Sequence, residues 1–315
     1  MMSGEEMFQG MRYVYEVYRE MSFSRAAKKL FISQPSLSNA VRKTEKKLGA
    51  PLFDRSTNPI GLTDLGKEYI RAVELILDVE NGFVNYLHDR NALQNGSVSI
   101  GGTNVFTSYA LPPLVSQFTE QFPQIHIELV EAVTSELKDR LSDGSLDLLI
   151  DNTELNAAAY EKKFFREEHL LLTVPRALAV NERVRNYALT AAEIKQNAHL
   201  NSRIPPVPLI EFREERFLLL REGNDTRERA DRLCHEAGFA PKLRLEPEQQ
   251  VTAYNFSCYG MGISFNGDVL IKHVPNEENL CFYKLNAREA VREVNFYFRR
   301  NRYMTRAVRE FLKLV

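Results

Sequence analysis

The sequence is poor in the features on which several classes of protein depend, beginning with cysteine. Its three cysteines, Cys234, Cys258 and Cys281, are far apart and form no CxxC pair. This spacing argues against a zinc module or a disulfide framework and suits a reducing cytoplasm. No apolar run approaches the ~20 residues that a membrane span requires. The first ten residues carry acidic side chains where a signal peptide carries basic ones, so we expect a soluble cytoplasmic protein.

The sequence also lacks the short motifs of common catalytic sites. It contains no HExxH, GxSxG or P-loop, and Gly260-Met261-Gly262 lacks the third glycine of a dinucleotide-binding loop. The six histidines show no metal-ligand spacing, so we predict no metal and no cofactor. An enzyme is therefore disfavoured. A solute-binding protein is disfavoured too, because it would need an export signal and would leave the basic N-terminal segment unexplained.

Positive charge is concentrated near the N-terminus, although the net charge of the 315-residue chain is −1. Between residues 24 and 55 there are eight basic side chains and two acidic ones, which gives this segment about +6 and the remainder about −7. A local basic patch on an otherwise acidic chain indicates a polyanionic partner. The alternative is a solvated, lysine-rich helix face.

Two short helices separated by a tight turn are predicted inside this basic segment. Ser24 is the expected N-cap of the first helix, which runs to Leu30. Pro35 suits the first turn of the second helix, which ends at Leu48 before Gly49. This arrangement predicts a helix-turn-helix. The side chains expected in its core are Ala26, Ala27, Leu30, Leu37, Val41 and Leu48, and those expected to face outward are Gln34, Ser36, Ser38, Asn39, Arg42 and Lys43.

A wing and a long helix are predicted to follow. Residues 52–59 have the pattern of a small strand and turn. Thr63 and Asp64 then begin a helix to about Asn91, which would be ~43 Å long. Its apolar stripe, which runs from Leu65 to Leu87, is too long to bury against the small N-terminal domain. We therefore expect a partner helix from a second chain, in preference to packing on the chain's own C-terminal domain.

Beyond a predicted linker at residues 95–97, strands and helices alternate. Residues 98–150 have the pattern βαβαβ, with a continuous apolar strand at 146–150, as expected for an open α/β sheet. A second unit begins with a strand at 169–174. It continues with strands at 217–220, 243–245, 261–265, 280–285 and 293–298. Helices are predicted at 226–237, 248–258 and 302–315.

The N-terminal segment closely resembles the LysR-type transcriptional regulators. The matching marks are Ala26-Ala27, Leu30, residues 33–38, Val41, Glu45, Leu48-Gly49, Leu52-Phe53, Arg55, Leu62-Thr63 and Gly66. Looser marks follow at residues 110–112, 144–150 and 260–263. The resemblance implies an α/β multidomain protein with a winged helix-turn-helix (1–62) and a linker helix that pairs two subunits (63–94). It also implies an effector domain like a periplasmic binding protein (95–315). Lobe I would comprise 95–170 and 276–315, and lobe II would comprise 171–275.

Function and partners follow from this resemblance. Members of the family bind a small molecule between the two lobes and activate or repress transcription as dimers or tetramers. The expected partners are double-stranded DNA, a small-molecule effector, further copies of the chain and, for an activator, RNA polymerase. One stretch departs from the family: residues 191–214 are longer than usual and contain Pro205, Pro206 and Pro208. We expect an extra loop there, over the cleft or at its edge.

The predicted DNA-binding residues divide into two groups. Arg25, Lys43 and Arg55 are expected on phosphates, and Ser33 marks a helix N-terminus that favours an anion. Contacts with base edges are expected from Gln34, Pro35, Ser38, Asn39 and Arg42, and Ser36 lies on the same polar face. Lys46 and Lys47 are expected to be solvated.

Four places at predicted strand ends and helix starts are expected to converge on an effector cleft. Their residues are Thr103, Asn104, Thr134, Ser135, Asn152, Gly223, Asn224, Asp225 and Thr226. Each has an alternative role as an ordinary N-cap or turn residue. Exposed N–H groups and hydroxyls favour an anion such as a carboxylate, but Asp151 and Asp225 would repel one. An amine-bearing ligand, such as an amino acid, therefore remains open.

Overall fold

The computed structural model of the protein describes residues 7–56, 59–89, 96–274, 277–285, 287–300 and 302–315. The chain forms two compact units, which meet in sequence between Leu87 and His88. In this described part of the chain, no helix combines the length and the apolarity needed to cross a membrane.

The first unit contains four helices and a two-stranded hairpin among its described residues. They are α1 (Met11–Glu20), α2 (Phe23–Lys29), α3 (Gln34–Leu48), β1 (Phe53–Asp54), β2 (Gly61–Leu62) and α4 (Asp64–Asp89). The prediction of Ser24 as the N-cap of α2 is wrong, since Ser22 occupies that position. Ser22 has an extended backbone and its Oγ accepts from the Arg25 amide, whereas Ser24 already lies inside the helix.

Local sequence signals set the ends of α3. The Oγ of Ser33 accepts from the Ser36 amide, which caps the helix, and Pro35 lies in its first turn. Gly49 ends the helix at a φ of +79°, a conformation that glycine adopts without steric cost. Helices α2 and α3 with the turn between them form the predicted helix-turn-helix, and the antiparallel pair of β1 and β2 forms the wing. Residues 57 and 58 of the predicted wing turn lie outside the described residues.

The core of the first unit is built where the helical periodicity predicts it. Ala26, Ala27, Leu37 and Val41 are buried, and Leu30 and Leu48 pack against them. The expectation for α4 is only partly correct, because Tyr69 and Val73 of its predicted stripe are buried in this same core.

Another face of α4 carries large apolar side chains that are exposed to solvent. Leu75, Val79 and Phe83, spaced four residues apart, are 54%, 74% and 61% exposed. Such spacing aligns the three side chains along one side of a helix. Of these three residues, the predicted stripe includes only Phe83. The side chains of Val84 and Leu87, which the prediction places on the stripe, lie outside those described.

Lobe I of the second unit is an α/β layer. Its elements are β3 (Gly96–Gly102), α5 (Leu111–Gln121), β4 (Ile125–Glu131), α6 (Thr134–Asp143), β5 (Leu148–Asp151), β12 (Val291–Arg299) and α13 (Arg306–Leu312). Gly96 and Ser97, predicted to be linker, already belong to β3, and Asn95 lies outside the described residues. β3 pairs in parallel with both β4 and β5, so the carboxyl ends of these three strands lie at one edge.

Lobe II repeats this arrangement. Its elements are α7 (Val180–Arg183), β7 (Ala188–Leu189), α8 (Ala191–Lys195), β8 (Arg216–Leu218), α9 (Asp225–Glu236), β9 (Lys242–Leu245), α10 (Gln250–Cys258), β10 (Ile263–Gly267), α11 (Asp268–His273), β11 (Leu280–Lys284) and α12 (Ala287–Ala290). β8 pairs in parallel with β9 and with β10.

One long strand joins the two lobes. β6 (Tyr160–Pro175) pairs through its first ten residues with β12 in lobe I and through its last six with β10 and β11 in lobe II. We expect residues 276–290 to belong to lobe I, and for β11 this is wrong. β11 pairs with residues 171–175 of β6, so the chain returns to lobe I only at the start of β12.

The expected extra loop at residues 191–214 is instead a packed part of lobe II. It contains α8 and two 3-10 turns, Ala198–Leu200 and Leu209–Phe212. Ile194 and Phe212 are fully buried. Burial of these apolar side chains therefore holds the segment in the lobe.

A group of charged and imidazole side chains, in which His199 and Asp268 are buried, attaches this segment to the long strand. The ring of His199 packs edge-on against that of His169 on β6. Asp268 accepts from the His169 amide at 3.0 Å and from Lys272 Nζ at 2.6 Å, and it lies 3.4 Å from His199 Nε2. Arg166 stands 3.6 Å from the same carboxylate, and Glu167 lies 3.8 Å from the ring of His169.

These contacts predict that the second unit loses stability in mild acid. Burial lowers the pKa of His169, although the Asp268 carboxylate opposes the shift. Below pH ~6.5 the unfolded chain therefore binds a proton at His169 more readily than the folded chain does. The contribution of neutral His169 to the unfolding free energy is complete above pH ~6.5 and falls as the pH drops below that value. Because only one proton is involved, the unfolding free energy can change by at most about 1.4 kcal/mol per pH unit.

Urea unfolding of the full chain between pH 8 and pH 5 measures the effect. His169→Asn should flatten the slope below pH 6.5. An unfolding free energy of the wild type that stays constant from pH 7 to pH 5 would contradict this prediction.

Candidate DNA interface and ligand cavity

The outward face of α3 is polar over its full length. Pro35, Asn39, Arg42 and Lys43 are exposed on the side opposite the buried Leu37 and Val41. Gln34 and Ser38 flank this face, which is consistent with the 3.6-residue period of the helix. Lys46 is exposed on the same side, and Lys47 donates a hydrogen bond to Gln9.

Several of these side chains are uncommitted. Gln34, Asn39 and Arg42 form no hydrogen bond or ion pair with any residue that the structure describes. Ser33 and Ser36, in contrast, bond to each other through their hydroxyls at 2.7 Å at the start of the helix. The unpaired amides and guanidinium are the groups that can pair with base edges.

Glu45 attaches the wing to α3. Its carboxylate accepts from the Leu52 amide at 2.9 Å and from Arg55 Nη2 at 3.0 Å. The guanidinium of Arg55 also lies 5.0 Å from the ring of Phe23, within range of a cation–π contact. Arg55 is therefore held in place and remains partly exposed. Arg25 is exposed and donates to the carbonyl of Glu20.

In the second unit, a cavity of about 290 Å³ opens between the lobes. The segments that follow β3, β4, β8 and β9 line it, at the carboxyl ends of the parallel strands. This is where open α/β sheets place their ligands. Five of the nine predicted effector residues line the cavity, namely Thr103, Thr134, Ser135, Gly223 and Asn224.

The other four predicted residues are committed elsewhere. Asn104 donates to Glu131 at 3.1 Å, and Asn152 donates to Glu168 at 3.0 Å. Asp225 and Thr226 both accept from Arg292, at 2.7 and 2.9 Å. Their polar atoms are used by protein partners far away in the sequence.

Sequence reasoning missed the other residues of the lining, which are the apolar Val105, Val133 and Leu220 and the polar Lys138, Arg221, Glu222, Glu248, Gln249 and Gln250. One signal for Lys138 was present, since it follows Thr134 by one helical turn and must share its face. For Gln249 and Gln250 the signal was the end of β9 at Leu245, because the chain after a parallel strand reaches the same edge as its neighbours.

Two helices from opposite lobes begin at this cavity without a side-chain cap. The N-cap of α6 is Val133 and that of α10 is Gln249, and neither side chain accepts from the first turn. The first amides of both helices therefore lack an intrahelical partner. In α9, by contrast, the side chain of Asn224 accepts from the Thr226 amide.

Asp151 lies behind the wall of the cavity and not in it. Its buried carboxylate accepts from the Thr153 amide at 2.6 Å and from Thr134 Oγ1 at 3.0 Å. Burial raises the pKa of Asp151, against the hydrogen bonds from Thr153 and Thr134 and the charge of Lys138. The bond to Thr134 fixes the first residue of α6.

A buried ionic network lies beside the cavity. Arg292 Nε donates to Glu168 at 2.7 Å, and Arg292 Nη1 donates to Asp225 at 2.7 Å. Burial lowers the pKa of Arg292, but the charges of Glu168 and Asp225 outweigh that effect and raise it. Gln250 connects this network to the cavity, since its Nε2 donates to Thr226 Oγ1 at 3.1 Å.

A winged helix-turn-helix with an uncommitted polar face, together with a two-lobed α/β unit around a polar cavity, defines a ligand-responsive DNA-binding regulator. Residues 8–67 match the description "Bacterial regulatory helix-turn-helix protein, lysR family". Residues 91–315, more than half of the chain, match "LysR substrate binding domain". The chain belongs to the LysR family of transcriptional regulators, which are not enzymes.

Individual relatives agree with this assignment. An uncharacterized HTH-type transcriptional regulator of Bacillus subtilis, YcgK, is 28% identical over 304 residues, which cover 96% of this chain and 92% of the relative. A probable RuBisCO transcriptional regulator of Gracilaria tenuistipitata var. liui is 25% identical and covers 96% and 93% of the two chains.

Solved structures share the fold. A full-length OxyR variant from Pseudomonas aeruginosa has a TM-score of 0.68 at 22% identity, over 100% of this chain and 94% of that one. Full-length CbnR in complex with its target DNA has a TM-score of 0.59 at 18% identity, over 98% of both chains.

Proposed function

We propose that the exposed face of α3 reads the base edges of an operator in the major groove. The observation that carries this proposal is that Gln34, Asn39 and Arg42 are exposed and form no bond with a described residue. Gln and Asn can pair with adenine and Arg with guanine. The phosphates are contacted by Ser33 at the N-terminus of α3 and by the cations Arg25, Lys43 and Arg55.

We further propose that two copies of the chain pair through α4. Leu75, Val79 and Phe83 present an apolar line that the first unit leaves exposed. A second α4 is the simplest cover for such a line, because the two lines are identical and self-complementary. A dimer of this kind would bind two half-sites separated by a whole number of helical turns. CbnR, the related protein with a DNA complex, has the same fold.

The cavity between the lobes is the proposed effector site. It lies at strand ends in both lobes, so an occupant would contact both lobes at once. A ligand that prefers one arrangement of the lobes would shift the protein toward that arrangement. A regulator that activates would pass this change to RNA polymerase.

Substitution of Arg42 tests the DNA interface. We expect Arg42→Ala to weaken binding to a selected operator by about 1–3 kcal/mol and to change binding to random DNA little, because a base contact is lost. Arg55→Ala should weaken both DNAs similarly, because a phosphate contact carries no sequence information. Fluorescence anisotropy at fixed salt, with an operator selected from random DNA by the wild type, measures both effects.

Arg213→Ala is the matched control, since it removes an exposed arginine from the second unit. It should leave both affinities unchanged. If Arg42→Ala weakened the operator and random DNA by the same factor, the assignment of α3 to base readout would be wrong.

A further inference from the structure

We propose that the cavity takes a small organic acid with oxygen acceptors at both ends, of which a dicarboxylate is the simplest form. One end would bind at the start of α6 in lobe I, and the other at the start of α10 in lobe II. This inference rests on the proposed effector role of the cavity and specifies the chemical class of its ligand.

The lobe I end offers a ready anion site. Val133 cannot cap α6, so the first amides of a ten-residue helix are left without an intrahelical partner at the cavity wall. The hydroxyl of Thr103 and the hydroxyl of Ser135 lie in the same wall. Lys138, one turn further along α6, forms no ion pair with a described residue. Amides, hydroxyls and an ammonium together form a donor set that suits a carboxylate.

The lobe II end offers a second set of donors, held rigidly. Gln249 does not cap α10, and Gln250 uses both ends of its side chain inside the protein. Its Nε2 donates to Thr226, and its Oε1 accepts from the Gly267 amide at 3.0 Å. The backbone of Gln250 is therefore fixed while its side-chain acceptor is already occupied. The first amides of α10 remain the donors of this wall.

The charges around the cavity favour an acid over an amine. The aspartates that made an amine plausible are unavailable, since Asp151 lies behind Thr134 and Asp225 is neutralised by Arg292 and Arg229. Of the two glutamates in the lining, Glu248 stands 3.7 Å from Arg221, and both glutamates are exposed at the rim. Water screens such rim charges. The inner wall therefore presents mainly donors.

The size of the cavity and the donors at its two ends restrict the chemical class of the ligand further. A cavity of about 290 Å³ lies at the small end of the range for ligand sites. An acid with a single acceptor end would satisfy the donors of only one lobe. An acid with two acceptor ends would bind both helices, and its affinity would therefore depend on how the lobes are arranged.

Thermal unfolding of the full chain with defined compounds tests the proposal. The probes are linear dicarboxylates from malonate to adipate, monocarboxylates of equal length and diamines of equal length. A dicarboxylate of one length should raise the Tm, with at least a tenfold lower Kd than its matched monocarboxylate. The diamines should produce no shift. Stabilisation by mass action makes the Tm rise with ligand concentration.

Variants locate the effect. Val133→Asp and Gln249→Asp each supply a capping carboxylate, which preserves the helix and places a negative charge where the ligand should bind. Each should keep the ligand-free Tm within a few degrees and should weaken the dicarboxylate at least tenfold. Arg140→Ala, on the same helix as Lys138 but paired with Glu136 outside the cavity, is the matched control and should change nothing.

Two kinds of failure are distinguishable. If no dicarboxylate raises the Tm, or if the capping variants bind it as well as the wild type, the proposed ligand class is overturned. The effector role of the cavity would survive this result if a neutral or cationic metabolite raised the Tm of the wild type but not that of Ser135→Trp, which fills the cavity. If Ser135→Trp responded to every stabilising metabolite as the wild type does, the effector role would fail as well.

Discussion

Replacement of Arg292 by methionine is expected to lower the unfolding free energy of the second unit by about 3–5 kcal/mol. Arg292 is buried, and its partner Glu168 has no exposed surface. The variant leaves Glu168 charged and buried without its counter-ion, and it also removes a partner from Asp225. An unpaired buried charge costs far more than the lost contact alone, and this accounts for the size of the effect.

The position of the pair adds a functional consequence. Arg292 on β12 stands directly opposite Glu168 on β6, close to the point where β6 passes from lobe I into lobe II. Arg292 also donates to Thr226, which in turn accepts from Gln250 at the cavity. We therefore expect the variant to weaken the proposed coupling between effector binding and the arrangement of the lobes, even at temperatures where it remains folded.

Urea unfolding of the full chain, followed by probes in the second unit, measures the loss of stability. Arg300→Met is the matched control, because its pair with Glu161 is exposed and spans 4.0 Å, and it should cost less than about 1 kcal/mol. The double variant Arg292→Met with Glu168→Leu should regain part of the loss, since both charges are gone. A cost below 1 kcal/mol for Arg292→Met alone would contradict the assigned role of the pair.

Replacement of Gly66 by alanine is expected to destabilise the first unit by about 3 kcal/mol, at the top of the range for overpacking. A Cβ at this position would lie 2.0 Å from the carbonyl oxygen of Leu52 and 3.2 Å from Leu62 Cδ2. The carbonyl belongs to the backbone next to the wing and cannot rotate away. Alanine normally stabilises a helix relative to glycine by about 1 kcal/mol, so the expected sign is the reverse of the intrinsic preference.

The same substitution should reduce DNA binding more than tenfold, because α4 and the wing can no longer pack together. Hydrogen exchange of the wing amides and anisotropy with operator DNA measure the two effects. Gly49→Ala is a useful contrast: nothing lies within 4 Å of its added Cβ, so its cost is confined to the positive φ, about 1–2 kcal/mol. Equal stability of Gly66→Ala and the wild type would show that the close approach does not constrain the unit.

Much of the DNA-binding unit could be predicted because its determinants are local. Ser33, Pro35 and Gly49 define α3 through capping and turn chemistry within a few residues. The period of Leu37 and Val41 identifies the buried face, and the outward face follows from it. The one misplaced boundary, at Ser22 and Ser24, concerns two residues with the same capping chemistry, which only the backbone conformation could separate.

The cavity between the lobes was only half predictable, because its lining depends on partners that are distant in the sequence. Asp225 and Thr226 have the sequence signature of residues at a cleft. In the structure, however, Arg292 forms an ion pair with Asp225, 67 positions away, and a hydrogen bond with Thr226, 66 positions away. Gln250 carries no motif, and it enters the lining because β9 is parallel to β8. The passage of β6 through both lobes is equally a matter of long-range strand pairing.

The sequence by itself determined the family, the helix-turn-helix with its polar face, and the alternation of strands and helices in the second unit. These follow from contacts and periodicities within one or two turns of chain. Only the tertiary structure decided which polar groups remain free to meet a ligand. A buried carboxylate or amide is committed to whatever partner the fold brings to it, and that partner can lie anywhere in the chain.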